Sequence, residues 1–88
     1  MIRRKVVVQG QVQGVFFRES IRRRATTAGV AGWARNLADG SLEAVLEGPP
    51  DAVAGVIAFC HEGPRGARVD WVDVASEEPA GLEGFSVA

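Results

Sequence analysis

Three consecutive valines, Val6 to Val8, sit in "RKVVVQGQV" and are bounded by glycine, which predicts a first β-strand from about Arg4 to Gln11. Beyond a glycine-bearing loop the period changes. Phe17, Ile21, Ala25 and Ala28 recur at intervals of three and four, the stripe of an amphipathic helix, and Gly29 supplies its C-terminal stop. "VAGWARNLADGSLEAVLEG" reads as two strands joined by the turn "LADG", with Asp39-Gly40 as the hairpin signal. Within it Leu42, Ala44 and Leu46 alternate with Ser41, Glu43 and Glu47, so one face is expected buried and the other wetter, with Asp39, Glu43 and Glu47 as ordinary charges of the wet side.

"PPDAVAGVIAFCHEGP" opens on prolines, carries Val53, Val56, Ile57 and Cys60 at helical spacing, and closes on Gly63-Pro64, which predicts a second helix. Gly55 weakens it by up to about 1 kcal/mol relative to alanine, so packing must hold it. "ARVDWVDVAS" is then a strand and "GLEGFSVA" a short final extended segment. The order strand, helix, strand, strand, helix, strand makes two βαβ-like halves. It predicts an α+β, ferredoxin-like (split βαβ) two-layer sandwich, with two helices on one face of a mostly antiparallel sheet, formed by residues 1 to 88 as a single domain.

Composition narrows the function classes without choosing one. Hydrophobic residues make up 47% and charged residues 24%, as in ordinary globular domains, and the net charge of -1 gives no global pull toward nucleic acid. No run approaches the roughly 18 apolar residues of a bilayer span, and "MIRRKVVVQG" lacks the apolar core of a secretory leader, so cytoplasm is the expected compartment. A lone cysteine cannot form an internal disulfide, and Cys60 with His61 falls short of a zinc ligand set, so Cys60 reads as a buried helix thiol. Arg22, Arg23 and Arg24 lie in the later half of the first helix, where positive charge suits the macrodipole, and they read as a solvated face. Trp33 reads as core or as a wall of the site, and Trp71 as a sheet-face residue.

The side-chain inventory removes nucleophilic triads: the chain has no Tyr, one His and one Cys, and no serine flanked by the glycines of a nucleophile elbow. What remains is the loop from Gln11 to Phe17. It leads from a strand into a helix start, where backbone amides lack partners, the macrodipole is positive, and glycine lets the chain curl its amides around an anion. Arg18 follows with a permanently charged planar fork suited to a phosphoryl group. Neither GxxxxGK[ST] nor GxGxxG occurs, which argues against the common nucleotide loops. On these residues alone two readings stay open, an anion site and a tight strand-to-helix turn beside an exposed arginine. Asn36, taken alone, is an ordinary polar residue at a strand end.

"GQVQGVFFR", Gly10 to Arg18, together with "GWARNLADGSLEAVLEG", Gly32 to Gly48, resembles the two signatures of the acylphosphatase family, in matching order and over nearly the whole chain. Leu42 stands where valine is usual, an aliphatic exchange. The resemblance implies the same split-βαβ fold and a metal-free, cofactor-free hydrolase that cleaves the carboxyl-phosphate bond of acyl phosphates. It also implies the roles: backbone amides of Gln13, Gly14, Val15, Phe16 and Phe17 hold the phosphate together with Arg18, and Asn36 positions the attacking water. The expected partner is a small-molecule acyl phosphate, with no nucleic acid and no membrane, and the expected state is a monomer. Two rivals are a non-hydrolytic phosphate-binding module and a single-strand RNA module; the second lacks any "KGFGFV"-like pattern and offers only Trp71 as a sheet-face aromatic.

Overall fold

The hydrophobic pattern becomes seven elements in a computed structural model that describes residues 1–88. In chain order they are β1 (Ile2–Gln11), α1 (Phe17–Ala28), β2 (Ala31–Asn36), β3 (Leu42–Gly48), α2 (Pro50–Glu62), β4 (Arg68–Glu77) and β5 (Phe85–Val87). The strands form one sheet in the order β4-β1-β3-β2-β5. The β1–β3, β1–β4 and β2–β3 pairs are antiparallel, so each βαβ half is split by a strand of the other, as the element order predicts. The tail "GLEGFSVA" does more than extend: it adds β5 parallel to β2, pairing Gly32 with Phe85 and Ala34 with Val87.

Strand register decides which residues meet the helices. One row crosses the sheet as Asn36, Leu42, Val8 and Val72, and the next as Ala34, Ala44, Val6 and Val74. Val6, Val8, Leu42 and Ala44 are fully buried, and α1 and α2 close over them with Ile21, Ala25, Val53 and Cys60. Phe17, the first residue of α1, meets Phe59 of α2 edge to face with ring centroids 6.0 Å apart. Burying such a side chain contributes about 1.5–3 kcal/mol, so the residue that starts α1 also anchors that end of the helix in the core.

Close approach constrains β2. Gly32 has φ +145°, and a Cβ there would lie 1.7 Å from the Val45 carbonyl oxygen, so only glycine lets β2 lie against β3 at this point. The Gly32 amide donates to the Gly84 carbonyl at 2.9 Å, which begins the junction with β5.

Two expectations need correction. Glu43 and Glu47 do lie on the face away from the helices, but they are only 6% and 4% exposed. Glu43 accepts from the Arg35 guanidinium at 2.7 and 3.0 Å and has the Lys5 ammonium at 3.5 Å. Glu47 accepts from the backbone amides of Ala80 and Leu82, each at 2.7 Å. Alternation identified the face correctly but not its environment, because β3 is central and flanking chain and long basic stems cover its carboxylates. Trp33, for its part, pairs with Val45 on that same outer face, half-buried beneath the Arg35 guanidinium at 5.0 Å from its ring centroid. It is neither core nor site wall.

Candidate active site

The site grows from the junction of β1 and α1. The β1–β4 register shifts between Gln9 and Gly10, and Val12, 1% exposed, seats the departing chain against the core. The chain then turns through Gly14, at φ 75°, and Phe16, at φ 60°. Left-handed residues placed between right-handed or extended ones bring successive N–H groups to one concave side. None of the ten backbone bonds outside the helices and strands is donated by an amide from Gln13 to Glu19, and no side chain accepts from them. Helix α1 has no side-chain cap, so its first amides and positive dipole end add to the same concentration of donors.

Arg18, on the first turn of α1, points its guanidinium at the end of β5, donating to the Ala88 carbonyl, while the Ala88 amide donates to the Ala34 carbonyl at 3.0 Å. No Asp or Glu side chain lies within ion-pair distance of Arg18, since Glu19 bonds Arg22 and approaches Arg23 at 3.5 Å. The Arg22 hydrogen bond, ahead of the opposing cost of burial, holds the Glu19 carboxyl below its ordinary value. Arg18 therefore has no side-chain counter-charge in the loop.

Asn36 ends β2 on the helix-facing row. Its Oδ1 is buried with no hydrogen-bond partner in the protein, an arrangement that costs about 1–3 kcal/mol unless something donates to it. Gly14, Arg18 and Asn36 line one cavity of about 260 Å³, with Val12, Phe16, Phe17 and Val87 as its apolar portion and Glu19 beside Arg18. The fold thus brings together residues that are 18 positions apart in the chain, Arg18 and Asn36, around a turn of unpaired amides. Gln13 and Val15 belong to the turn but do not line the cavity.

Two contributors were missed by sequence reasoning. The Gln13 side-chain amide donates to the carbonyls of Leu37, at 2.8 Å, and Ser41, at 3.0 Å, strapping the loop to the hairpin immediately after Asn36. No local pattern signals this, because a polar loop residue is as readily solvated. Val87 reaches the cavity only because β5 joins the sheet, a pairing too short to declare itself in a three-residue strand.

The acidic residues of the hairpin do not converge. Asp39 accepts from the amide and hydroxyl of Ser41 at 2.9 and 2.5 Å, and that hydroxyl bond is the main reason its carboxyl is held below the usual range. Glu43 and Glu47 are held by separate partners, and no group of three or more His, Cys, Asp or Glu side chains is placed to share a metal ion. In α2, burial pushes the Cys60 thiol up to about 12, and His61 Nδ1 lies 3.1 Å from the Ile57 carbonyl, both outside the cavity. Arg24 lies over the Phe59 ring at 4.4 Å, so the arginine run is spent on a surface ion pair and a ring.

Against known families, residues 4–87 match the acylphosphatase family model. The chain belongs to the acylphosphatase family. It is 56% identical over 85 residues to an acylphosphatase of Rubrobacter xylanophilus, covering 94% of this chain and 76% of that protein. With an acylphosphatase of Thermococcus kodakarensis the identity is 52% over 86 residues, covering 98% and 94%. The crystal structure of acylphosphatase from Bacillus subtilis superposes with a TM-score of 0.96 at 30% identity, covering 100% of this chain and 99% of that one. The family expected from the two motifs is therefore the family found, and its fold is the one described above.

Proposed function

We propose that this family member hydrolyses the carboxyl-phosphate bond of acyl phosphates to a carboxylate and inorganic phosphate, holding the phosphoryl group with loop amides of Gln13 to Phe17 and the Arg18 guanidinium, and aligning water with Asn36. The observation that carries the reading is the buried, unpartnered Asn36 Oδ1 in the same cavity as Arg18 and the uncapped start of α1. An amide oxygen accepts a hydrogen bond from water and so aims the water's lone pair without removing its proton. The water oxygen bonds to phosphorus, the bond from phosphorus to the acyl oxygen breaks, and the acyl oxygen leaves with the electron pair. The water's proton ends on the phosphate oxygens. Carboxylates are weak bases, with pKa values near 4, so the departing group needs no protein acid. Phosphoryl transfer depends chiefly on alignment and on stabilising charge spread over the equatorial oxygens, which amides, the helix end and Arg18 supply.

The acting form is a monomer that uses no metal, and its partner is a small acyl phosphate. No helix is long and apolar enough to cross a membrane, and a buried lone thiol supports a reducing, cytoplasmic setting. Purified protein is expected to turn over acetyl phosphate in the presence of a chelator. Arg18→Ala raises the inhibition constant of inorganic phosphate sharply, whereas Asn36→Ala lowers kcat by roughly 10²–10³ with a smaller change in phosphate inhibition. Full turnover by the Asn36 variant sinks the water-aligning role. Phosphate binding without any hydrolysis by the unsubstituted chain favours a binding module instead.

A further inference from the structure

Phe16 combines two unfavourable features. It is the one non-glycine residue with a positive φ, at φ 60° and ψ 26°, where an L side chain crowds the backbone carbonyl oxygen. It is also 83% exposed, while Phe17 beside it is 1% exposed. The conformation is held in place: the Phe16 carbonyl accepts from both the amide and the hydroxyl of Ser20, at 3.0 and 2.9 Å. Nothing in the packing of the core requires a phenyl ring here, since the ring is not part of the buried cluster. A constrained residue held in this way at a site boundary calls for a functional explanation.

The phosphoryl-directed groups account for only one half of an acyl phosphate. The amides, Arg18 and Asn36 address the phosphate and the water, so the acyl half must rest on the remaining cavity surface. Of its apolar residues, Val12 and Phe17 are each only 1% exposed and offer almost nothing to a ligand. Phe16, at 83%, and Val87, at 38%, are what a substrate can touch. Resting on the hydrolytic reading above, we propose that Phe16 is a specificity-determining residue whose ring, with Val87, receives the acyl group and favours flat apolar acyl phosphates over small ones. Aromatic faces stack on such groups and lose little conformational freedom in doing so.

Phe16→Asn tests this, because asparagine tolerates the left-handed backbone and removes the ring; Phe16→Leu keeps apolar area without a flat face. The readout is kcat/KM for benzoyl phosphate divided by that for acetyl phosphate, with inorganic phosphate as inhibitor. Phe16→Asn lowers the ratio by roughly three- to tenfold, mostly through the KM of benzoyl phosphate, and Phe16→Leu lowers it less. Inhibition by phosphate shifts less than the ratio does. An unchanged ratio in an active variant overturns the assignment and leaves the hydrolytic reading standing, as does a loss of phosphate affinity equal to the loss on benzoyl phosphate. Absence of turnover in the unsubstituted chain overturns the hydrolytic reading and this one with it.

Discussion

Two glycine-centred turns in this molecule gather backbone amides, and they end differently. In the segment Ala80 to Leu82, Gly81 has φ 75°, and the flanking amides donate at 2.7 Å each to the two carboxylate oxygens of Glu47. In the loop Gln13 to Phe17, Gly14 has the same φ of 75°, but no acceptor of the protein reaches its amides. The first turn is filled by the chain's own carboxylate, and the second is left without an acceptor in the protein, as the proposed phosphate site requires. Convergent amides are therefore a structural device wherever a carboxylate of the chain fills them, and a site only where none does. The two are also connected: the Glu47 clamp fixes the approach to β5, whose far end bonds Arg18 through Ala88.

Alanine at each glycine separates the two turns most sharply. Neither position has a neighbour within 4 Å of an added Cβ, so Gly14→Ala and Gly81→Ala carry a similar backbone penalty, about 1 kcal/mol by denaturant unfolding. Only Gly14→Ala should also lose activity, on the order of 10²-fold in kcat/KM for acetyl phosphate, because misplaced amides no longer match the phosphoryl oxygens. Equal activity losses in the two variants would erase the distinction.

Acid should open the closed turn. The amide of Ala80 foremost, then those of Leu82 and Gly81 with the Arg3 charge, outweigh burial and hold the Glu47 carboxyl below its ordinary value of 4.5. A carboxyl depressed in the folded state contributes stability that is present above the unfolded value and lost as pH falls through the folded one. Glu47→Gln is therefore destabilised relative to the parent at pH 7, and the gap narrows as pH falls from about 4.5, read from urea midpoints across pH. A gap that stays constant to pH 3 would show that the carboxylate charge is not what the amides hold.

The smallest effect belongs to the strap across the open turn. Gln13→Ala removes two side-chain bonds to backbone carbonyls, each contributing about 0.5–1.5 kcal/mol at most in this partly exposed place. Unfolding free energy falls by roughly 1 kcal/mol, and KM for acetyl phosphate rises a few-fold as the loop loosens against the hairpin. An unchanged KM assigns Gln13 to stability alone.

How much of this was legible depends on whether the signal was local. Periodicity placed both helices and the first four strands, since burial of a stripe or an alternating face leaves its mark in consecutive residues. Even Asn36 carries such a mark in retrospect, sharing strand parity with Gly32 and Ala34 and hence the helix-facing side. The role proposed for it, however, came from the paired motifs, because an asparagine at a strand end is ordinary by itself. Glu43 and Glu47 were misread as wet because what covers them, Arg35, Lys5 and the segment near Ala80, arrives from other elements. Trp33 was misread for a related reason: its parity was visible, but the outer face that shelters it is built by neighbours.

The chain by itself determined its element order, its helix limits, the turn-forming glycines and an arginine at the first turn of α1, because these follow from backbone freedom and side-chain spacing within a few residues. Tertiary structure decided that β5 pairs with β2, that one amide turn is filled by Glu47 while the other is left open, and that an unpaired Asn36 oxygen shares a cavity with Arg18. Those outcomes depend on which distant groups reach a given donor, a matter of three-dimensional distance that neither composition nor periodicity encodes.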